Sequence, residues 1–316
     1  MREFIIQEHD ANQRLDKFIM KTMKTMPKNL MYKYIRNKKI KVNRKRCEIS
    51  TRLQIGDTIQ CYIAEEFFEQ AYNFDFLQVP YDVQVVYEDE KILVVNKPIG
   101  LLAQKDVQGI QDNLADRILH YLYQQGEYDP RTSQSFTPAP AHRIDRNTQG
   151  ITLVGKGAEA LRVLNEKIAA HEIRKFYLCI VQGHMEAKEG SLHFYHQKDE
   201  KKNIANISSI YKEGWQEIFS TYTVLKEGRH HSLLEVEIKT GKSHQIRASF
   251  AHLHHPLLGD KKYGAKAVHD FPYQALCAYK IIFSFQDDGG VLHDLKDKEI
   301  LLKDIQLLQY FNEHCV

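Results

Sequence analysis

The sequence lacks the features that mark a secreted or membrane-bound protein. Its five cysteines are odd in number, scattered along the chain and never spaced as CxxC, which argues against a disulfide framework or a zinc module. No apolar run approaches the length of a membrane span. The first ten residues, MREFIIQEHD, carry acids where a signal peptide has its hydrophobic stretch. We therefore expect a cytoplasmic protein that does not contact a membrane.

The sequence also lacks the motifs of nucleotide hydrolysis and serine hydrolases. KTGKSH (239–244) contains the GKS that ends a phosphate-binding loop, but Val236 stands where that loop needs its first glycine. No GxSxG segment occurs. The histidines of HLHHP (252–256) have no acid or cysteine at zinc-ligand spacing, so structural or RNA-facing roles are favoured. The sequence thus predicts no metal site.

What the sequence does have is an uneven distribution of charge. The formal net charge is +3, but residues 1–66 hold 15 Lys and Arg against 8 Asp and Glu, so the rest of the chain is acidic on balance. The segment KYIRNKKIKVNRKR (33–46) holds eight bases and no acid, with apolar residues interleaved. A folded basic face of this kind is typical of phosphate binding. A solvated basic face or a disordered tail is the alternative.

Residues 12–63 are predicted to form a small α/β unit. Apolar residues recur at helical spacing in NQRLDKFIMKTM, with Asn12 as the N-cap, and a second helix is expected to begin near Pro27. Short strands are expected at IKVN and TIQCYI. Through RLDKFI, MYKYIRNKKIKVN with the following RKR, and LQIGDTI, this unit resembles the alpha-L (S4-like) RNA-binding module. The resemblance implies RNA contacts for the basic residues Lys38, Lys39, Arg44, Lys45 and Arg46.

The rest of the chain is predicted to be a linker followed by one domain. In residues 64–80 acids replace the bases of the preceding segment, and apolar residues no longer recur at a regular spacing, so a linker is expected there. In residues 81–316 strands outnumber helices, and KILVVNKP has the continuous apolar run of a buried strand. A helix is expected at about 158–170. Because several strands are spaced like hairpins, the fold class is predicted to be α+β rather than doubly wound. The inward face of the helix at about 158–170 is predicted to consist of Ala158, Leu161, Leu164 and Ile168.

Three side chains near strand ends are candidates for chemistry. They are Asp145 in HRIDRNTQG, Tyr177 in RKFY and Arg247 in HQIR. Each alone has an ordinary explanation, since Asp followed by Asn, Thr and Gly is typical of a turn, Tyr of a core and Arg of a surface pair. A function is indicated only when they are considered together with the segments around them.

Those segments carry a resemblance to a known family. HRIDRNTQGITLVGK resembles the catalytic motif of the RNA pseudouridine synthases of the RluA family. VVNKPIGLLAQ, KFYLCIVQG, LEVEIKTGKSHQIRASFAHLHHPLLGDKKYG and ALCAYKIIF are similar to that family's other blocks, in the same order, over about residues 80–285. The resemblance implies a catalytic domain with a mixed, largely antiparallel sheet that isomerises uridine to pseudouridine. No redox change or group transfer is involved, so no cofactor is expected.

The resemblance also implies a role for each candidate residue. Asp145 is the nucleophile or charge-bearing group, and Arg247 is the cation that opposes the rise in its pKa on burial. Tyr177 packs against the uracil and is placed to assist removal of the C5 proton, and Arg143 fills the gap left by the flipped uridine. Further RNA or pocket contacts are implied for His142, Arg146, Thr148 and Lys175.

The N-terminal module looks most like that of the family branch that modifies several uridines of large-subunit rRNA. The expected partner is therefore this rRNA or a ribosomal precursor particle, bound by a monomer. Departures from the family pattern at Gln104, Gln149 and Lys242 leave the choice of uridine open. A tRNA pseudouridine synthase and an inactive RNA-binding or ribosome-assembly factor remain alternatives. A nuclease is disfavoured, because the Asp145 segment has one carboxylate where metal-dependent cleavage needs a cluster.

Overall fold

In the computed structural model, the residues described are 1–68, 72–106, 112–133, 135–266, 268 and 271–316. They form an N-terminal unit with a three-stranded sheet and a larger unit with a sheet of eleven strands. Among the helices of these residues, none is long and apolar enough to cross a membrane.

The N-terminal unit packs two amphipathic helices against its sheet. Its elements, in chain order, are β1 (Arg2–Ile5), α1 (Leu15–Thr22), α2 (Lys28–Arg36), β2 (Ile40–Val42) and β3 (Thr58–Cys61). The strands are antiparallel in the order β1-β3-β2. Residues such as Phe18, Ile35 and Ile59 form its core. The two predicted helices and the strands β2 and β3 are confirmed. Strand β1 was not predicted, and it lies before residue 12, where the unit was predicted to begin.

The predicted N-cap of the first helix was wrong, and the predicted linker has local structure. Asn12 is not an N-cap, because its backbone is left-handed (φ 59°) and α1 begins only at Leu15. The segment 64–80 was predicted to be a linker. It contains short 3-10 turns at Glu65–Phe68 and Asp75–Gln78. Phe68 is buried in the N-terminal core and Phe76 packs in a cluster with Leu114 and Ile118 of the larger unit, so the segment contacts both units.

The larger unit is built on one sheet with helices on both faces. Its strands are β4 (Gln84–Glu88), β5 (Ile92–Lys97), β6 (Ala139–Pro140), β7 (Gln149–Gly155), β8 (Ile173–Gln182), β9 (Glu189–Asp199), β10 (Ile204–Ser208), β11 (Gln216–Glu227), β12 (His231–Ile238), β13 (Leu276–Phe283) and β14 (Glu299–Leu301). Its helices are α3 (Leu114–Gln124), α4 (Ala158–Ala169), α5 (Gln245–His252) and α6 (Gln306–His314).

The strand order is β10-β9-β11-β12-β8-β13-β7-β5-β4, with β14 beside β13 and β6 beside β7. The pairing of β13 with β7 is parallel, and the other pairings of the described strands are antiparallel. The predicted α+β class with a mixed, largely antiparallel sheet is confirmed. The predicted buried strand KILVVNKP is β5, which is buried along its whole length.

The inward face of helix α4 differs from the prediction. Ala158, Leu161 and Ile168 are half-buried, and the buried residues are Ala160, Val163, Leu164 and Lys167. Lys167 is polar, and its ammonium pairs with Glu172 and Asp287, each at 2.6 Å. Because these ion pairs satisfy the buried amine, the helix can turn its lysine side inward.

The centre of the sheet holds the segment that was singled out in the sequence. Gly150 begins the buried part of β7 with φ 142°, and a Cβ there would lie 2.3 Å from the carbonyl oxygen of Ala278 on β13. Only glycine permits so close an approach of two strands. On the other side of β13, Ala278 pairs with Tyr177 of β8. The loop that carries Asp145 therefore enters the sheet at β7, and β13 alone separates β7 from β8, the strand that carries Tyr177.

Candidate active site

Asp145 and Arg247 meet at this point of the sheet. Asp145 lies in the loop before β7, which is turned by a hydrogen bond from the Thr148 amide to the Asp145 carbonyl (3.1 Å). Arg247 lies in the first turn of α5, and its Nη1 donates to Asp145 Oδ2 at 3.0 Å. The Asp145 side chain is 26% exposed and that of Arg247 is 7% exposed. The carboxylate thus remains accessible while its cation is buried behind it.

A second carboxylate, Asp260, holds the guanidinium in place. Arg247 Nε and Nη2 donate to the two oxygens of Asp260 at 2.6 and 2.8 Å, and Asp260 is 1% exposed. Burial acts to lower the pKa of Arg247, but its hydrogen bonds to Asp260 and the charges of both carboxylates outweigh burial and raise that pKa. Arg247 therefore stays charged, with Nη1 directed to Asp145. Asp260 was not found from the sequence, where it is one acid in LLGDKKYG.

Tyr177 forms an apolar wall beside these charges. It is buried in a cluster with Ile144, Ile246 and Ala278. Burial raises the pKa of its phenol well above the usual value, and the negative charge of Asp145 raises it further. At neutral pH the phenol is therefore protonated, which favours a packing role over a role as a base.

Lys97 connects the loop of Asp145 to the turn after β5. Its side chain is fully buried, and Nζ donates to the carbonyl oxygens of Pro98, Leu101 and Arg146 at 2.8, 2.9 and 2.9 Å. Burial lowers the pKa of Lys97 to about 7, against the opposing effect of the Asp145 charge. The sequence shows only a lysine before a proline, and nothing in that pattern indicates these three acceptors.

The predicted contacts of Arg143, Arg146 and Lys175 are compatible with their positions. Arg143 and Arg146 are exposed, and Arg146 Nε donates to the Gly100 carbonyl at 2.9 Å. Lys175 is half-buried on β8, two residues before Tyr177, and burial lowers its pKa. Their roles toward RNA stay predictions.

His142 and Thr148 are held by hydrogen bonds within the protein, and their roles toward RNA stay predictions. Thr148 is 1% exposed, and its hydroxyl accepts a hydrogen bond from Gln274 Nε2 at 3.2 Å, so it shapes the loop from inside. His142 is half-buried. Its Nε2 accepts the Leu153 amide at 3.2 Å, and burial, with the Lys175 charge, lowers its pKa to about 3. It is a neutral imidazole that fastens the loop to β7.

We expect His142 to make the protein less stable in acid. Its pKa in the fold lies below the value of about 6.5 in an unfolded chain, so the unfolded state binds the proton first. The stability it contributes is complete above pH 6.5 and decreases as the pH falls toward 3, by up to about 1.4 kcal/mol per pH unit. When the free energy of unfolding in urea is measured at several pH values, it should therefore fall less steeply below pH 6.5 for His142→Gln than for wild type. His293→Gln, at an exposed histidine, should leave the slope unchanged. If His142→Gln had the same dependence of unfolding free energy on pH as wild type, His142 would not be a neutral imidazole in the folded protein.

The basic residues predicted to bind RNA lie on the surface of the N-terminal unit. Lys38, Lys39, Arg44, Lys45 and Arg46 are all exposed. Asn43 and Arg44 have left-handed backbones (φ 52° and 63°), and the Arg44 amide donates to Gln60 Oε1 at 2.9 Å. The basic turn after β2 is thus fixed to β3.

The histidines of HLHHP have separate partners. His252 Nε2 lies 2.9 Å from Ser209 Oγ, and His255 Nδ1 lies 2.8 Å from the Gln182 carbonyl oxygen. Over the described ranges no group of three His, Cys, Asp or Glu is placed to hold a metal ion. For His252 and His255 these bonds agree with structural roles.

Comparisons with known proteins show the family of this chain. The model of the RNA pseudouridylate synthase family matches residues 91–252. An uncharacterized RNA pseudouridine synthase of Mycoplasma capricolum is 30% identical, over 90% of this chain and 92% of its own length. The ribosomal large subunit pseudouridine synthase C of Buchnera aphidicola subsp. Baizongia pistaciae is 29% identical, over 84% and 82%. The corresponding synthase D of Salmonella typhimurium is 26% identical, over 83% and 76%.

Solved structures show the same fold. Human RNA pseudouridylate synthase domain containing 4 aligns with a TM-score of 0.57 at 16% identity, over 72% of this chain and 92% of that one. Its counterpart, domain containing 1, aligns with a TM-score of 0.52 at 20% identity, over 74% and 96%. The family match spans half of this chain, and the relatives span most of it. The chain therefore belongs to the RNA pseudouridine synthase family, in the RluA-type group that its motifs resemble.

Proposed function

We propose that this enzyme converts uridines of large-subunit rRNA to pseudouridine and that Asp145 is the group that acts on the reacting uridine. The observation that carries the proposal is the chain of contacts Asp145–Arg247–Asp260, in which a buried guanidinium is held by one carboxylate and presented to another. Support for the rRNA substrate comes from the names of the Buchnera and Salmonella relatives and from the basic face of the N-terminal unit.

The chemistry requires a charged and accessible carboxylate. Pseudouridine formation breaks the bond between ribose C1′ and uracil N1 and rejoins the base through C5. Arg247 engages Oδ2 of Asp145, and Oδ1 has no hydrogen-bond partner within the described residues. Arg247 stabilises the negative charge, and Oδ1 is left for the substrate. Because the cation is already oriented by Asp260, little reorganisation is needed when the uridine arrives.

The uridine must leave its base stack to reach Asp145. Unstacking and unpairing cost a few kcal/mol. Arg143, two residues before Asp145, is exposed and can enter the vacated space. A guanidinium suits this role because its planar face stacks on bases while its N–H groups bind phosphate.

We expect Tyr177 to act mainly by packing against the uracil. Tyr177→Phe keeps the ring, so its single-turnover rate of pseudouridine formation should stay within about tenfold of wild type, whereas loss of a general base costs about 10²- to 10⁴-fold. Tyr177→Leu removes the ring and should lower the rate about ten- to a hundredfold, since base–aromatic stacking contributes about 1–3 kcal/mol. A Phe variant as impaired as the Leu variant would instead assign the function to the hydroxyl.

We expect the basic turn of the N-terminal unit to contact RNA phosphates. Replacing Arg44, Lys45 and Arg46 together by Glu should weaken rRNA binding and lower the slope of log affinity against log salt by about 2, because each lost phosphate contact removes about 0.7–0.9. Reversing the exposed Lys188, Lys296 and Lys303 of the larger unit is the matched control. Equal slopes for the two triple variants would mean that the turn is only a solvated face.

The substrate assignment is tested by mapping pseudouridine across the transcriptome of a strain that lacks this protein. We expect specific pseudouridines to disappear from large-subunit rRNA and to return when wild-type protein is supplied. Loss confined to tRNA would overturn the rRNA assignment and favour a tRNA pseudouridine synthase.

A further inference from the structure

His244 occupies an unusual position beside Asp145. It directly precedes α5 and has a left-handed backbone (φ 54°, ψ 20°), which is uncommon for a residue other than glycine. Its side chain is 11% exposed, and Nε2 lies 3.8 Å from Asp145 Oδ2. Strained backbones of this kind persist where the surroundings hold them and are frequent at functional sites.

The other nitrogen of His244 is held by Tyr263. His244 Nδ1 lies 2.9 Å from the Tyr263 hydroxyl, and the two rings meet edge to face. Tyr263 ends a short turn (Lys261–Tyr263) that directly follows Asp260, and the Arg247 guanidinium lies 5.1 Å from the centre of its ring. The turn that carries Asp260 to Arg247 thus also carries Tyr263 to His244.

The hydrogen-bond pattern selects one tautomer of His244. The Ala205 amide of β10 donates a hydrogen bond to the Tyr263 oxygen at 2.7 Å. Because this oxygen is the acceptor in that bond, the hydroxyl hydrogen of Tyr263 needs a different group as its own acceptor. His244 Nδ1 is the acceptor present among the described residues. If Nδ1 accepts, the proton of the neutral ring lies on Nε2, the nitrogen that faces the carboxylate. A lone pair at that nitrogen would face negative charge, so both ends of the ring favour the Nε2–H form.

The ionisation of both side chains agrees with this arrangement. Burial raises the pKa of Tyr263 to about 12, so its hydroxyl is protonated at neutral pH. Burial lowers the pKa of His244 to about 4, because the opposing charges of Asp145 and Asp260 do not compensate for burial and for the nearby Arg247 and Lys262. The imidazole is therefore a neutral donor at neutral pH.

We propose that Tyr263 and His244 are a positioning pair, in which Tyr263 fixes His244 as the Nε2–H tautomer and this N–H becomes a second hydrogen-bond donor to Asp145 Oδ2 when the uridine binds. The inference rests on the proposed role of Asp145. At 3.8 Å the contact is too long for a hydrogen bond, but catalytic hydrogen bonds are often long before substrate binds and tighten in the complex. Two donors on Oδ2, Arg247 and His244, would fix the rotation of the carboxylate and leave Oδ1 for the uridine.

The tautomer can be measured directly on the full-length protein. With ¹⁵N-labelled histidine, two-bond proton–nitrogen spectra at pH 7.5 distinguish a protonated ring nitrogen from an unprotonated one, and His244→Gln identifies the signals. We expect Nε2 protonated and Nδ1 unprotonated in wild type, and a mixture of tautomers in Tyr263→Phe. A wild-type Nδ1–H tautomer, or a tautomer unchanged by Tyr263→Phe, would overturn the proposal.

Kinetics test whether the N–H acts on Asp145. A hydrogen bond to a charged group corresponds to a rate effect of about ten- to a hundredfold. We expect His244→Phe to lower kcat by about a hundredfold and Tyr263→Phe by about tenfold, with KM changed less than about twofold. His244→Gln, which keeps an N–H donor, should recover at least half of the loss on a logarithmic scale. Wild-type kcat in His244→Phe, no recovery in His244→Gln, or a loss that falls on KM would contradict the pair's action on Asp145.

The two proposals fail in distinguishable ways. The NMR result needs no substrate and no activity. If Asp145→Asn retained activity, the proposed function would fail while the tautomer assignment stood. If Asp145→Asn were inactive but His244 had the Nδ1–H tautomer, only the positioning pair would be rejected.

Discussion

Replacing Asp145 by Asn is expected to lower the rate of pseudouridine formation by more than about a thousandfold while the protein stays folded. Asparagine has nearly the same shape, and its carbonyl oxygen can accept the hydrogen bond from Arg247. It carries no negative charge to act at the sugar or base. The fold should tolerate the change because Arg247 keeps its two hydrogen bonds to Asp260 and the Asp145 side chain is partly exposed.

The matched control for this substitution is Asp294→Asn, at a carboxylate whose side chain is 83% exposed. It removes the same charge without touching the site, so its rate should equal that of wild type. Single-turnover assays with saturating enzyme separate the chemical step from RNA binding. An Asp145→Asn rate within about tenfold of wild type would be too high for a residue that acts directly in the reaction.

Arg247→Met is expected to damage both stability and activity. Removing the guanidinium leaves the carboxylate of Asp260, which is 1% exposed, without its bidentate partner. Breaking a buried ion pair in this way costs about 3–5 kcal/mol, which urea unfolding at pH 7 should show as a lower free energy of unfolding. Asp145 also loses its cation, so the reaction rate should fall by at least about a hundredfold, as on loss of one preorganised donor.

The double variant Arg247→Met with Asp260→Asn separates the two effects. It removes the unpaired buried charge, so much of the lost stability should return, whereas activity should not. Arg247→Lys is a second comparison, because it keeps the charge but not the fork that binds two carboxylates. Full activity in a folded Arg247→Met protein would mean that this cation does not support Asp145.

The resemblance to family motifs predicted that Asp145, Tyr177 and Arg247 belong to one site. Asp145 and Arg247 are 102 residues apart in the sequence, and no periodicity links them. The resemblance to the family implied their pairing, and the structure has this ion pair. Asp260, His244 and Tyr263 lie inside a segment that was recognised, but their functions depend on contacts across the fold, which spacing along the chain does not encode.

The burial of polar residues was not predictable from the sequence. His142, Thr148 and Lys167 are polar, and polar residues are expected at the surface. Thr148 and Lys167 are buried and His142 is half-buried, because particular partners satisfy them: Gln274, two carboxylates and the Leu153 amide, respectively. Such partners come from distant parts of the chain. The apolar strand β5 was predicted correctly, because a continuous apolar run indicates burial without reference to one particular partner.

The most direct test of the account is to incubate purified wild-type protein and Asp145→Asn with large-subunit rRNA, without added metal, and to map pseudouridine at single-nucleotide resolution. We predict pseudouridine at specific uridines with wild type, none with the variant, and intact RNA chains in both reactions. Cleaved RNA, no pseudouridine with wild type, or equal modification by Asp145→Asn would contradict a uridine isomerase that acts through Asp145.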